Sequence, residues 1–187
     1  MRMIIFYFMK ILVTGAKGFI GRNLVSQLHN IQLGKVENAS LSVGLTIFEY
    51  DVDSDPVELE LYCKDADFVF NLAGVNRPKD PTEFMQGNFG FTSVLLDTLK
   101  KYHNTCPVML SSSIQAILDN PYGESKRAGE KLLFDYSRET GANVLIYRFP
   151  NVFGKWCRPN YNSVIATFCH NIAHDLPIIV GTTPLTK

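Results

Sequence analysis

Two groups of residues, far apart in this chain, are of the types that carry redox chemistry. The first is a turn with glycines at positions 15, 18 and 21, directly after an apolar run. The second holds Tyr122 and Lys126 and is preceded by Ser111-Ser112-Ser113. The glycine turn is suited to binding the pyrophosphate of a dinucleotide, and the second group is suited to moving a proton onto or off a carbonyl oxygen. Together they indicate nicotinamide-dependent redox chemistry.

The glycine turn connects a predicted strand over residues 11–14 to a helix with apolar residues at every fourth position. A helix N-terminus offers unpaired N–H groups and the positive end of the helix dipole to phosphate oxygens. Gly15 permits the tight turn, Gly18 the close approach of phosphate, and Gly21 the packing of helix on strand. The spacing is GxxGxxG rather than GxGxxG. The residues predicted to contact the cofactor here are Gly15, Lys17, Gly18, Phe19, Ile20 and Gly21.

Tyr122 and Lys126 lie four residues apart, so they face the same side of a helix. A free tyrosine has a pKa near 10 and is a poor acid-base group at neutral pH. We expect the Lys126 ammonium to stabilise the phenolate, to lower the pKa of Tyr122 and to bind the cofactor ribose. Ligands bind at the carboxyl ends of parallel strands, where a serine hydroxyl would hold the substrate carbonyl oxygen. Ser113 is the candidate, with Ser111 and Ser112 as alternatives.

Short apolar runs alternate with amphipathic stretches along the chain, which predicts a parallel sheet with helices on both faces. Further strands are predicted at residues 45–50, 67–72, 107–110, 144–147 and 177–180, and helices at 55–63, 88–102, 122–139 and 163–174. Val94, Leu95 and Leu99 are predicted to face the core. The expected fold class is α/β, a doubly wound parallel sheet in a single domain over residues 1–187.

Composition argues against several classes of protein. Eighteen basic residues balance eighteen acidic ones, so there is no electrostatic signature of nucleic-acid binding. Lys10 interrupts the first apolar run, which is too short for a signal peptide or a membrane span, and residues 1–9 are expected to be an extension. The four cysteines form no CxxC pair, so no metal site is predicted. We expect a cytoplasmic protein without nucleic-acid or membrane partners, with a homodimer left open.

The motifs resemble those of the extended short-chain dehydrogenases/reductases. The resemblance rests on the glycine turn, the strand end at residues 71–74, the Ser113/Tyr122/Lys126 set and an RxxNxxG segment at residues 148–154. It implies a Rossmann-like fold, and it assigns Asn88 to the position of the asparagine in the family's proton relay. The further cofactor contacts that it implies are Leu72, Ala73, Gly74, Phe149 and Asn151, together with Tyr122 and Lys126.

Residues 73–78, 111–116, 119–126 and 153–168 resemble, more specifically, the reductase domain of bacterial capsular-polysaccharide reductases. This resemblance implies NADPH-dependent reduction of the 4-keto group of a UDP-2-acetamido-2,6-dideoxy-hexulose, on the way to UDP-N-acetyl-L-fucosamine. The implied contacts with the UDP-amino-sugar are Asn76, Arg77, Asn151, Arg158 and Asn162. Family members continue through a complete substrate-binding lobe into a cupin domain. We therefore expect a truncated chain, in which residues 155–187 begin an incomplete lobe.

The choice of cofactor and of reaction leaves alternatives open. The acidic residues 49–53 follow the second predicted strand and favour NAD, because an acid there binds the ribose 2′-hydroxyl. The resemblance favours NADPH, with Lys17 or Arg22 at the 2′-phosphate. A nucleotide-sugar epimerase would use bound NAD on the same fold, and a catalytically incompetent cofactor-binding fragment is the third interpretation. A 4,6-dehydratase is disfavoured because the serines stand where that group has Thr-Asp-Glu.

Overall fold

Five parallel strands form the central sheet of the chain. In the computed structural model, which describes residues 8–36, 44–161 and 163–178, their order is β2-β1-β3-β4-β5. The strands are β1 (Met9–Thr14), β2 (Leu45–Tyr50), β3 (Phe68–Asn71), β4 (Val108–Ser113) and β5 (Val144–Phe149). All neighbouring pairs are parallel, which confirms the predicted α/β class. The chain leaves β1 towards β2 on one side and returns to β3 on the other, so a topological switch point lies between β1 and β3.

Helical segments connect the strands. These are α1 (Phe19–Gln32), α2 (Pro56–Asp65), α3 (Thr82–Phe84), a π-helical segment (Met85–Gly90), α4 (Phe91–Lys101), a 3-10 turn (Ile114–Ile117), α5 (Pro121–Thr140) and, after β5, α6 (Val164–Ala173). The chain forms two compact units, residues 1–150 and 151–187, and α6 belongs to the second. Among the helices in the described part of the chain, none has both the length and the apolar character needed to cross a membrane.

Apolar layers cover both faces of the sheet. Because side chains alternate along a strand, Ile11 and Val13 point to one face, where they pack with residues of α1, and Leu12 points to the other. The second layer is larger, and α2, α4 and α5 all contribute to it. Its fully buried side chains include Leu12, Val69, Leu95, Leu99, Val108 and Leu133. Apolar burial on both faces explains why β1 and β3 consist of nearly continuous apolar runs.

Capping residues fix both ends of α5, the helix that carries Tyr122. Asn120 precedes it, and its side chain accepts a hydrogen bond from the Gly123 N–H at 2.8 Å. Pro121 occupies the first helical turn, where a missing N–H costs nothing. Gly141 ends the helix in the left-handed conformation, with φ of 77°. These signals set the boundaries of α5 within a residue of those predicted.

Several predicted boundaries differ from the structure. The strand predicted at 107–110 extends through Ser113, so the three serines belong to β4 and are buried. The helix predicted at 88–102 begins with the π-helical segment. Val94 was expected in the core but is 54% exposed, because the buried positions of α4 are Thr92, Leu95, Leu96 and Leu99, spaced i, i+3, i+4 and i+7. Pro177 and Ile178 are not in a strand, and residues 179–180 of that prediction lie outside the described residues.

Substitutions on the two sides of α4 should change the free energy of unfolding by very different amounts. Leu95→Ala should lower the free energy of unfolding by about 3 kcal/mol, because it opens a cavity in the larger apolar layer. The exposed neighbour provides the control, since Val94→Ala should change it by less than about 0.5 kcal/mol. Urea denaturation of both variants measures the difference. Equal losses in the two variants would contradict the observed orientation of α4.

Candidate functional site

The glycine turn packs directly against the end of β3, across the switch point. Gly15 has φ of +69°, and a Cβ there would lie 2.7 Å from the backbone N of Ala73. A Cβ on Gly21 would lie 2.1 Å from the Gly15 carbonyl oxygen, and one on Gly18 would lie 3.1 Å from it. Side chains are therefore excluded where β1, α1 and the β3 end converge. Gly18, the residue before α1, has no side chain to cap the first backbone N–H groups of the helix, which are the groups that a pyrophosphate would need.

A buried polar network holds the ends of β1 and β3 in place. The Thr14 hydroxyl donates to Asn71 Oδ1 at 2.9 Å, and Asn71 Nδ2 donates to Thr92 Oγ1 of α4 at 3.1 Å. Thr92 Oγ1 in turn donates to the Asn88 carbonyl oxygen at 2.6 Å. Thr14, Asn71 and Thr92 are each at most 1% exposed. Buried hydrogen bonds are costly to leave incomplete, so this network specifies one geometry for the site.

Asn88 fixes the segment that follows β3. Its Oδ1 accepts from the Val75 N–H at 3.0 Å, and its Nδ2 donates to the Val75 carbonyl at 3.2 Å and to Ser125 Oγ at 2.9 Å. A Cβ on Gly74 would lie 2.6 Å from Asn88 Oδ1 and 3.2 Å from Lys126 Nζ. The side chain of Asn88 is therefore engaged in holding the Gly74–Val75 backbone beside Lys126. Its predicted part in proton relay stays a prediction.

Lys126 is buried at the centre of the site. It is 6% exposed, and its Nζ donates to the Ser111 carbonyl at 3.1 Å. Burial lowers the pKa of Lys126 to about 8, because an ammonium group loses hydration there. The Nζ lies 5.7 Å from the centroid of the Tyr122 ring, and the Phe84 ring packs on that tyrosine at a centroid distance of 5.4 Å.

The expected effect of Lys126 on Tyr122 is absent from this structure. Burial raises the pKa of Tyr122, and a hydrogen bond with the side chain of Ser113 partly opposes that rise. The Nζ of Lys126 is directed to the Ser111 carbonyl instead of the Tyr122 hydroxyl. The interaction that stabilises the phenolate here comes from the serine, contrary to the sequence-based expectation.

The hydroxyls of the three serines on β4 have three different partners. Ser111 Oγ donates to the Asn71 carbonyl at 3.2 Å, and Ser112 Oγ donates to Glu130. Ser113 Oγ accepts from the Gln115 N–H at 3.2 Å and is the serine side chain that contacts Tyr122. Of the three alternatives, Ser113 is therefore the serine whose side chain interacts with Tyr122.

The remaining predicted residues lie in several places. Lys17 is exposed, with its backbone N–H donating to Asp51 and its Nζ paired with Asp53. Half-buried Phe19 and Ile20 form the first turn of α1, and exposed Arg22 follows them. Leu72 and Ala73 continue β3 towards Gly74, and exposed Asn76 and Arg77 come next. Phe149 pairs with Ser113 across β4 and β5. Asn151 and Arg158 belong to the second unit, and Asn162 lies outside the described residues.

Sequence reasoning assigned no role to Glu130, Ser125 or Phe84. Ser125 is fully buried and receives the Asn88 amide, while its own hydroxyl donates to the Tyr122 carbonyl at 2.7 Å. Glu130 is 4% exposed and binds Ser112 and Arg148. Its spacing was a usable signal, because residues 122, 126 and 130 recur every four positions along one helix face.

The glycine turn and the start of α1, here called the cradle, lie at the same edge of the sheet as Ser113, Tyr122 and Lys126. This arrangement is typical of a nucleotide-binding α/β domain suited to carbonyl chemistry. The sequence matches the NAD dependent epimerase/dehydratase family over residues 11–184, and the chain belongs to that family.

The chain is similar to several known proteins. The chain is 45% identical over 175 residues to UDP-2-acetamido-2,6-beta-L-arabino-hexul-4-ose reductase of Pseudomonas aeruginosa, covering 94% of this chain and 44% of that protein. The crystal structure of the capsular polysaccharide assembling protein CapF from Staphylococcus aureus superposes with a TM-score of 0.75 at 46% identity, over 92% of this chain and 43% of the other. RMD from Pseudomonas aeruginosa, solved with NADPH, shares the fold at 24% identity and a TM-score of 0.71, over 89% and 62% of the two chains. The chain thus spans less than half the length of the first two relatives.

The clash distances at the glycines predict which of them the site requires. Gly21→Ala should weaken binding of nicotinamide nucleotides about tenfold or more and lower stability by about 1–3 kcal/mol, because the backbone at Gly15 must move. Fluorescence titration with NADH and NADPH measures binding. Gly90→Ala is the matched control, since its Cβ would lie an ordinary 3.8 Å from the Met85 carbonyl. A Gly21→Ala variant that binds like the original chain would refute the cradle.

The burial of Lys126 predicts a pH dependence of stability. Its pKa of about 8 in the folded chain lies below the ordinary 10.5, so the unfolded chain holds more protons between those values and stability rises with pH across that window. Lys126→Met removes this contribution. The stability of the variant relative to the original chain should therefore fall by up to about 3 kcal/mol from pH 7 to pH 10.5.

Urea denaturation over this pH range measures that difference. Lys131→Met on the exposed side of the same helix should show no such trend. A constant difference between Lys126→Met and the original chain would mean that the ammonium is hydrated.

Proposed function

We propose that this chain is the reductase portion of an NADPH-dependent enzyme that reduces the 4-keto group of a UDP-2-acetamido-2,6-dideoxy-hexulose in capsular polysaccharide synthesis. Family membership and 45% identity to a UDP-hexulose 4-keto reductase support the reaction class. The likeness to the capsular protein CapF supports the pathway. The observation that carries the proposal is the grouping of Ser113, Tyr122 and Lys126 next to Gly74, at the switch point of the sheet.

The residues at the switch point fit a nicotinamide dinucleotide. Glycines at positions 15, 18 and 21 let the turn pack tightly on the end of β3 and on α1, where a Cβ would meet backbone atoms, and no side chain caps the start of α1. Leu72, Ala73 and Gly74 would line the path from the cradle to Lys126, and Phe149 would lie beside Ser113. The bound nicotinamide supplies a hydride to the sugar C4.

In the proposed mechanism, the Tyr122 hydroxyl donates its proton to the oxygen that forms at C4. Ser113 holds the same oxygen by donating a hydrogen bond to it, which favours the developing negative charge. Lys126, anchored at Ser111, would orient the cofactor ribose and supply positive charge as the phenolate forms. The Phe84 ring packs on half-buried Tyr122 and limits the access of water to it.

The choice of NADPH over NAD as the cofactor is a separate and more specific part of the proposal. Asp51 and Asp53 follow β2, and both contact Lys17, so two carboxylates and one ammonium group lie beside the glycine turn. When NADPH binds, Lys17 would release Asp53 and pair with the 2′-phosphate of the cofactor. Arg22 is the other candidate for this contact with the 2′-phosphate. With NAD, an acid of this segment would bind the ribose 2′-hydroxyl instead, which would favour the epimerase alternative.

The proposed substrate contacts come from two parts of the chain. Asn76 and Arg77 follow the segment that Asn88 holds, and Asn151, Arg158 and Asn162 would bind the UDP moiety. Residues 155–187 would begin the substrate lobe. We propose a Rossmann domain extending to this lobe, a cytoplasmic location and a homodimer as further expectations from the resemblance. Because the chain covers 44% of its curated relative, a fragment that binds cofactor without turnover is the third alternative.

Tyr122→Phe tests the proposed reaction. The variant should reduce the keto-sugar about 100-fold or more slowly than the original chain, because the proton donor is gone, while NADPH binding should change little. Loss of NADPH absorbance with the UDP-4-keto-sugar measures turnover, and the same assay with NADH ranks the cofactors. Tyr102→Phe, which removes only a surface hydrogen bond to Glu60, serves as control.

Each alternative has a distinct result in this assay. Interconversion of two UDP-sugars without net consumption of NADPH would establish the epimerase. Calorimetric binding of NADPH without turnover by the original chain, and hence no effect of Tyr122→Phe, would establish the cofactor-binding fragment.

A further inference from the structure

Glu130 is a buried carboxylate for which the proposed mechanism has no use. It lies on α5 and is 4% exposed. Burial raises its pKa, but hydrogen bonds from Arg148 and Ser112 and the charges of Arg148 and Arg127 outweigh that effect, so the pKa is lowered overall. Glu130 is therefore an anion at neutral pH. An anion this well buried requires a defined set of partners.

The partners of Glu130 come from two neighbouring strands. Its Oε1 accepts from Ser112 Oγ of β4 at 2.5 Å and from Arg148 Nε of β5 at 2.9 Å. Its Oε2 accepts from Arg148 Nη2 at 2.6 Å. Ser112 and Arg148 are themselves paired in the sheet register. One carboxylate thus fastens α5 to two strands through a two-pronged ion pair and a hydroxyl.

This attachment lies between the two contacts that build the site. Three consecutive residues of β4 meet α5, since the Ser111 carbonyl binds Lys126, Ser112 binds Glu130, and Ser113 contacts Tyr122. On α5 the three partners lie one helical turn apart each, on one face. A shift of β4 along α5 would break all three contacts together. In the middle contact, the charged carboxylate of Glu130 binds Ser112 of β4 and also Arg148 of β5.

We propose that Glu130 is a positioning residue that sets the alignment of β4 on α5, and thereby holds the Ser113 hydroxyl against Tyr122. The alignment stands on the contacts above, whereas its consequence for turnover rests on the proposed function. Arg148 contributes by holding Glu130 in one orientation, and Ser112 transmits the constraint to its neighbour Ser113.

The two effects of Glu130 on Tyr122 have opposite signs, which makes the proposal testable. As a negative charge in the same buried region, Glu130 can only raise the pKa of Tyr122, so its neutralisation would by itself lower that pKa. As a positioning residue, it preserves a hydrogen bond that lowers the pKa of Tyr122, so its loss should raise that pKa. The groups around Tyr122 that bear on this titration are Ser113 on β4, Lys126 on α5 and the Phe84 ring.

The experiment is 19F NMR titration of the full chain labelled with fluorotyrosine, whose phenol ionises at lower pH and keeps the titration where the protein is folded. The chain has eight tyrosines, and the signal lost in Tyr122→Phe assigns the one of interest. Glu130→Gln and Ser112→Ala should each raise the Tyr122 pKa by about one unit, as expected for the loss of one hydrogen bond. Ser112→Ala leaves the charge unchanged, so it isolates the alignment and decides the question if Glu130→Gln does not fold.

The matched control is Glu139→Gln, the same substitution at an exposed position of α5 paired with Lys100, which should leave the Tyr122 signal unmoved. A fall or no change in the Tyr122 pKa in Ser112→Ala would overturn the proposal. Because the titration needs neither cofactor nor substrate, its result is independent of turnover. If the variants show the rise in the Tyr122 pKa but the original chain does not reduce the keto-sugar, the positioning role stands and the proposed function is refuted. If the original chain reduces the keto-sugar but the variants show no rise in the Tyr122 pKa, the positioning role is refuted and the proposed function stands.

Discussion

The site depends on the burial of one ammonium group between three parts of the chain. Lys126 lies on α5, donates to the Ser111 carbonyl of β4, and sits so close to Gly74 that a Cβ there would approach its Nζ to 3.2 Å. The segment that follows β3 therefore packs against α5. It also packs on the glycine turn, through the contact of Ala73 with Gly15. The glycine turn and the residues proposed to transfer a proton are therefore parts of one contiguous arrangement. Removing any one of these close contacts would disturb both.

Such an arrangement requires polar groups where a stable core would otherwise have apolar ones. Thr14, Asn71, Asn88 and Ser125 are all buried, and within the described residues no buried side-chain nitrogen or oxygen lacks a hydrogen-bond partner. Each bond adds little net stability, but a missing partner would be costly, so the network admits one arrangement rather than many. The apolar layer of α2, α4 and α5 supplies the stability that this polar region does not.

The sequence predicted the fold better than the chemistry within the site. Apolar runs located the strands, and Asn120, Pro121 and Gly141 located α5, because these signals act on their immediate neighbours. The exposed position of Val94 could not be read from apolarity alone, since the core face of α4 depends on what packs against it. Nor could the partners of the Ser111 and Ser112 side chains on β4, which lie 40 and 18 positions away in the chain. The pKa of Tyr122 departed from expectation for the same reason, because burial is a property of the assembled fold.

In the proposed function, the contacts for cofactor binding and those for sugar turnover fall mainly in different units of the chain. The contacts that build the cradle, from the glycine turn through Gly74 to Lys126, all lie within residues 8–150 and within the first unit. Most of the residues proposed to hold the UDP-sugar follow residue 150, and the curated relative is more than twice as long as the matched region. A dinucleotide gains its affinity mainly from its pyrophosphate and ribose, which the first unit can address alone. In the proposed function, reduction also requires that the sugar C4 be held within reach of both Tyr122 and the nicotinamide, and most of the residues proposed for that task follow residue 150.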